Sequence, residues 1–210
     1  MSGKSSSSSH RLDEMINTYL ENFKSVENGS GSELELEVKF GTLRGENKPI
    51  TRNEFDNVVK KLKSFDFTAS PSEHTLKIFT TYVNKKGEVR PSNVRVNVQY
   101  LSGISAYCRN EQIDDTNVGF ERKETFRDPS NSNIVRSVDF DDFNFRVSLN
   151  TEGYPSIDIR RGMIENWKDK NKKFRLMNRT TFEHPDYPFK LDLSIVKSSY
   201  KTNATTFTGS

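Results

Sequence analysis

The stretch Glu33-Leu34-Glu35-Leu36-Glu37-Val38-Lys39-Phe40-Gly41 alternates acidic with apolar side chains until Lys39 takes over the polar phase. Successive side chains of a β-strand point to opposite faces, so Glu33, Glu35, Glu37 and Lys39 share one face and Leu34, Leu36, Val38 and Phe40 the other. Like charges at two-residue spacing repel, and a cation or a solvated surface must neutralise them. The stretch is therefore either a candidate metal site or an exposed amphipathic strand with an acidic outer face. The rest of the chain decides between the two.

Composition narrows the field. At 210 residues the chain is long enough to bury a substantial core. Only 32% of the residues are hydrophobic and the mean hydropathy is -0.79, which suits a β-structure whose interior is partly polar. Fifteen Phe and seven Tyr argue against disorder for most of it. A formal charge of +3, from 32 basic and 29 acidic residues, is too small to imply nucleic-acid binding by itself. One cysteine, Cys108, excludes a disulfide within the chain and a thiolate metal cluster. There is no apolar run of membrane-spanning length and no signal-peptide core, so the sequence reads as soluble and intracellular, with no membrane partner.

Met1 to His10 has the composition of a disordered lead-in, and residues 11–210 read as a single domain. Leu12, Met15, Ile16, Tyr19, Leu20 and Phe23 recur at helical spacing, and Asn28 to Ser32 forms a turn before the acidic strand. Thr51 and Glu54 have the form of a capping box that opens a second helix, with Phe55, Val58, Val59, Leu62 and Phe65 on its apolar stripe. Both helices are expected to cover outer apolar faces. After Pro71 the texture becomes extended: Leu76 to Val83, Val94 to Tyr100, Val118 to Arg127, Phe143 to Thr151, Lys173 to Glu183 and Phe189 to Ser198 read as strands. The clusters Asn84 to Gly87, Asp128 to Asn131 and His184 to Pro188 read as turns. The fold class expected is mainly β (α+β), an antiparallel β-barrel or tunnel with helices packed on the outside.

Each later strand sets polar residues against apolar ones. Arg95, Asn97 and Gln99 oppose Val94, Val96 and Val98; Arg146, Ser148 and Asn150 oppose Phe145, Val147 and Leu149; Lys190, Asp192 and Ser194 oppose Leu191, Leu193 and Ile195. Any one such cation is more often solvated than functional. Closing the sheet would bring acidic and basic rows into one lumen, which suits a polyanion bridged by a divalent metal. Glu35 and Glu37 are hard oxygen donors for Mg²⁺ or Mn²⁺, and Arg and Lys neutralise phosphate charge. No Walker-type glycine loop is present, and His10, His74, His184 and Cys108 lack the spacing of a zinc site or a thiol nucleophile.

Glu35-Leu36-Glu37-Val38-Lys39-Phe40-Gly41 resembles the first-strand motif of the triphosphate tunnel metalloenzymes, specifically the RNA 5′-triphosphatases of fungal and large-DNA-virus mRNA capping systems. Lys173 to Phe182, His184-Pro185-Asp186 and Lys190 to Lys197 look like the late strands of the viral branch. The resemblance spans about Glu33 to Ser199. It implies Glu35 and Glu37 as metal ligands for Mg²⁺ or Mn²⁺, and Glu35, Glu37, Arg179, Lys190 and Asp192 as catalytic residues. Lys39, Arg95, Lys123, Arg146, Arg175, Arg179, Lys190 and Ser194 would contact phosphate, with Asp192 and Ser194 as orienting groups. Arg95, Lys123 and Arg146 rest on strand phase and order rather than on a motif match.

The implied activity is hydrolysis of the γ-phosphate of 5′-triphosphate RNA, the first step of mRNA capping. The implied partners are that RNA and a guanylyltransferase domain in the same longer polypeptide; for a viral protein the compartment is the host cytoplasm or the virion. Hydrolysis of nucleoside triphosphates or tripolyphosphate, and a non-catalytic domain that binds RNA or polyphosphate, remain open beside it. Two departures stand out. Met177 occupies a position where related sequences often carry a cation, and nothing after Asp192 supplies the second Glu-x-Glu pair of the family's final strand, so the expectation is a tunnel lacking its last strand.

Overall fold

The computed structural model describes residues 10–21, 32–40, 51–128, 131–140, 145–187, 190–199 and 207–209, with the side chains of 32, 40 and 207–209 left out. Of the expected segments, Met1 to Ser9, Phe23, Asn28 to Gly31, Gly41, Pro129, Ser130, Phe143, Pro188, Phe189, Lys201 to Thr206 and Ser210 lie outside the described residues. Contacts divide the chain into two compact units: residues 1–49 with 122–154, and residues 50–121 with 155–210.

The first unit holds helix α1 (10–21), β1 (Ser32–Phe40), the end of β5 (Gly119–Thr125), β6 (Val138–Phe140) and β7 (Phe145–Gly153). The expected acidic strand is β1. It pairs antiparallel with β7 over its full length, from Ser32 opposite Gly153 to Phe40 opposite Phe145. Both β6 and the Arg122 to Thr125 part of β5 also run antiparallel to β7. Leu34, Val147 and Leu149 are buried with Phe126 and Val138, and Met15 of α1 closes this core with Leu12 and Tyr19 packed around it. The first expected helix thus covers an apolar face, as its stripe implied, and its described part runs from His10. Among the described side chains of the apolar phase of β1, Leu34 is buried while Leu36 and Val38 are 37% and 47% exposed.

The second unit contains α2 (Arg52–Ser64), β2 (Thr68–Ala69), β3 (Glu73–Val83), β4 (Val89–Gln99), α3 (Tyr100–Asn110), the start of β5, α4 (Ile157–Glu165), β8 (Lys172–Glu183), β9 (Lys190–Ser199) and β10 (Phe207–Gly209). Its strands run in the order β4-β3-β8-β9-β10, with β2 beside β8, and all these pairings are antiparallel. The β3–β4 hairpin turns at Asn84 to Gly87. There Asn84 Oδ1 accepts from the backbone N–H of Lys86 and Glu88, and Gly87 takes the left-handed conformation at φ +77° that a side chain resists.

Period-2 alternation sends Leu76, Ile78, Val94, Val96 and Val98 into a core with Phe120, Ile113, Tyr107, Met163 and Trp167. Two helices that strand texture had concealed, α3 and α4, supply Tyr107 and Met163 to this core. Gly103 weakens the helical signal of α3 and β-branched Ile157 and Ile159 that of α4. The chain turns from β4 into α3 at Tyr100, whose φ is +59°, and the hydroxyl of Ser156 caps α4 by accepting from Ile159 N–H. Helix α2 has the expected capping box, Thr51 with Glu54. Contrary to expectation it contributes no buried residue, so the apolar face of this unit is covered by α3 and α4 instead.

Candidate functional site

In the first unit, register places Glu35 opposite Asn150, Glu37 opposite Ser148 and Lys39 opposite Arg146, and Lys123 of β5 opposite Glu152 of β7. The Lys123 ammonium donates to Glu35, to Glu37 at 3.2 Å and to Glu152 at 3.0 Å. Lys39 lies 3.0 Å from Glu37. The acidic row is thus neutralised on its own face, as the repulsion within it requires.

These contacts set the protonation of the cluster. Burial alone would lower the Lys123 ammonium, yet Glu35, Glu37 and Glu152 together hold it above its ordinary value. Burial also opposes ionisation of Glu37, but Lys123 and Lys39 keep its carboxyl below the usual range. Glu35 goes the other way: burial, aided by the charges of Glu152 and Glu37, raises its carboxyl despite the bond to Lys123. Among the described residues no group of three His, Cys, Asp or Glu is arranged around one metal position. Two partly exposed carboxylates on one strand face nevertheless match what Mg²⁺ uses, since it keeps several waters and takes only one or two protein carboxylates. Arg146 lies on the same face beside Lys39 and makes a two-point pair with Asp139, at 2.6 and 3.0 Å.

In the second unit the face opposite the core carries the cations. Glu121 accepts from Arg95 at 3.0 Å, Asn97 at 2.9 Å and Lys77 at 3.1 Å. These three donors hold its carboxyl below the ordinary range against burial, the largest influence, which pushes upward. Arg95 and Arg175 each lie about 5 Å from the ring centre of Phe79, at 5.1 and 4.8 Å. Further along β8 and β9, Arg179 pairs with Asp192 at 3.0 Å, and the Thr181 hydroxyl donates to the other Asp192 oxygen at 2.6 Å. Ser194 stands opposite Arg179 in register, and Lys190 pairs with Glu183 at 2.5 Å. Glu73, Arg179, Thr181, Glu183 and Lys190 wall a cavity of about 330 Å³.

Most of the expected residues are thus gathered into clusters: Glu35, Glu37, Lys39 and Lys123 in one unit, where Arg146 is instead paired with Asp139, and in the other Arg95 with Arg175, and Arg179 with Lys190, Asp192 and Ser194. Sequence reasoning passed over Glu152, Glu121, Lys77, Phe79 and Asp139. Strand phase could have found Glu121, which lies two residues before Lys123, and Lys77 and Phe79, which alternate with buried Leu76 and Ile78. His184 packs its ring against Phe67 and Tyr187 at 5.0 and 4.6 Å, and Cys108 is exposed. No described helix is long and apolar enough to cross a membrane.

No family model and no curated protein sequence matches this chain. Solved structures do. The mimivirus capping enzyme triphosphatase in its monoclinic crystal form is 14% identical, over 89% of this chain and 78% of that one, at a TM-score of 0.53. Its triclinic form is 16% identical, over 87% and 78%, at 0.51. The S. pombe Pct1 RNA triphosphatase is 15% identical, over 93% and 75%, at 0.42, too low to carry weight. The antiparallel architecture expected from strands without helix-length crossovers between most of them is the one this chain has, and its fold is that of the mimivirus capping enzyme's triphosphatase.

Proposed function

We propose that this chain is a metal-dependent RNA 5′-triphosphatase, which removes the γ-phosphate of triphosphate-ended RNA and leaves the diphosphate end that capping requires. One observation carries the reading. In a fold shared with a capping-enzyme triphosphatase, Glu35 and Glu37 lie on one face of β1, held by the ammonium groups of Lys123 and Lys39. Glu35 and Glu37 would hold Mg²⁺ or Mn²⁺. When bound, that metal supplies Lewis-acid polarisation of the γ-phosphoryl group and a template for water.

The chain's own cations do the rest. In the first unit Lys39, Lys123 and Arg146 would neutralise phosphate charge beside the two carboxylates, and in the second unit Arg95, Arg175, Arg179 and Lys190 offer cations of the same kind; the charge such groups meet is spread over the equatorial oxygens during transfer. Asp192, fixed by the Thr181 hydroxyl, orients Arg179, and Ser194 beside it offers a hydroxyl to phosphate. The partners that follow are triphosphate RNA and a guanylyltransferase domain that consumes the diphosphate end.

The non-catalytic reading also has one observation on its side: Lys123 already occupies the carboxylates that a metal would need. Phosphate release from triphosphate RNA, nucleoside triphosphates and tripolyphosphate, each with Mg²⁺ and with Mn²⁺, separates the readings. Faster release from RNA supports the proposal. Equal or faster turnover of the small substrates would make the chain a general tripolyphosphate hydrolase, and tight binding without turnover a binding domain.

A further inference from the structure

Glu121 has no part in the chemistry described so far, yet three side chains of two other strands converge on it. Its Oε1 accepts from Arg95 Nη1 at 3.0 Å, and its Oε2 accepts from Asn97 Nδ2 at 2.9 Å and Lys77 Nζ at 3.1 Å. Its side chain is 16% exposed, so these bonds form where competition from water is reduced. Lys77 stands opposite Asn97 on β4 and opposite Arg175 on β8, and Phe79 stands opposite Arg95. Like charges at directly opposed positions, here Lys77 and Arg175, destabilise a sheet. One carboxylate beside them lowers that cost while its charge is divided between Lys77 and Arg95.

The geometry of Arg95 is the informative part. Its guanidinium is fixed at two points, by a bond from Nη1 to Glu121 and by the Phe79 ring 5.1 Å away. A guanidinium is a planar fork of five N–H donors, so fixing its plane decides where the whole fork points. Arg175 meets the same ring at 4.8 Å. Two forks that share one aromatic spacer are preset rather than ordered at the moment of binding, and preset donors contribute most to stabilising developing charge.

We propose that Glu121 is a positioning residue for triphosphate hydrolysis: it locks Arg95 against Phe79, alongside Arg175, and acts through Arg95 rather than on the substrate. This role rests on the reading of the chain as a triphosphatase. It gives a partly buried carboxylate among the proposed phosphate-binding cations a function that charge alone would contradict, since a carboxylate placed near phosphate otherwise repels it.

A double-mutant cycle tests it, with Glu121→Gln, Arg95→Ala and the pair. Two readouts are used: kcat and KM on triphosphate RNA with divalent metal, and calorimetric affinity for inorganic tripolyphosphate. Glu121→Gln is expected to lower kcat/KM about tenfold, the effect of one charge-assisted hydrogen bond. In the Arg95→Ala background the same substitution is expected to change neither readout further, because the group it positions is gone. Glu121→Asp keeps the charge but is one methylene too short to hold Arg95 and Lys77 together, and is expected to show the same loss. It serves in the cycle if Glu121→Gln fails to fold. Wild-type kinetics in both Glu121 variants, or fully additive losses in the cycle, would overturn the role while leaving the triphosphatase reading intact. A wild-type protein that neither hydrolyses triphosphate RNA nor binds tripolyphosphate would overturn the reading, and this role with it.

Discussion

Lys123 faces Glu152 directly across β5 and β7, with its ammonium 3.0 Å from that carboxylate, and the same ammonium also holds Glu35 and Glu37 on β1. Three strands of one unit are therefore tied at one cation whose side chain is only 9% exposed. Its three carboxylate partners are 37%, 25% and 26% exposed, so removing Lys123 leaves like charges that repel one another while water screens part of the cost.

Lys123→Met is accordingly expected to destabilise the protein by about 1 kcal/mol, a drop of a few degrees in Tm. A divalent cation should restore part of that loss, since Glu35 and Glu37 would then have a cation again. Thermal unfolding of the variant with and without Mn²⁺ checks this. A Tm loss that Mn²⁺ leaves untouched would mean that these carboxylates do not take metal.

Glu35 and Glu37 should separate in their pH behaviour. The Glu37 carboxyl is held low in the folded state, so its contribution to stability is present above the ordinary carboxylate range and lost as pH falls through its lowered value. Glu37→Gln is expected to lower Tm at neutral pH and to flatten the acid limb. The Glu35 carboxyl is raised, so its contribution runs in the opposite direction and is lost as pH rises through its raised value. Glu35→Gln is expected to keep or raise Tm at neutral pH. Tm against pH for wild type and the two variants is the measurement, and equal losses from both substitutions would contradict the assignment.

Asp192→Asn tests whether the Arg179 pair serves stability or chemistry. Both side chains are about two-fifths exposed, at 40% and 42%, so the ion pair itself contributes under about 1 kcal/mol. Turnover should fall about tenfold, because Asp192 and Thr181 set the direction of the Arg179 fork. Unfolding and steady-state kinetics on the same preparation separate the two effects, and an unchanged kcat would remove Asp192 from the chemistry.

The strands were legible because alternation is a local signal: Glu33 to Lys39, Arg95 to Gln99 and Lys190 to Ser194 each announce two faces without reference to a partner. Helices α3 and α4 were not, because Gly103 and the β-branched Ile157 and Ile159 disguise them. Only packing against Val96, Ile78 and Trp167 makes them helices worth forming. Glu35, Glu37 and Lys123 were found from motif and phase. Glu152, Glu121 and Asp139 were not, since a carboxylate on a strand reads as solvated until register shows which cation stands beside it. Met177, marked in the sequence as a missing cation, lies between Thr75 and Val196 in register, with Arg175 and Arg179 on either side along β8.

The most direct test of the account is release of γ-phosphate from 5′-triphosphate RNA by the protein, with and without Mg²⁺ or Mn²⁺, beside Glu35→Ala and Glu37→Ala. The account predicts release that requires the divalent metal and falls by at least about a hundredfold in each variant, the scale of losing one preorganised charge-stabilising group. Wild-type release in both variants would contradict it.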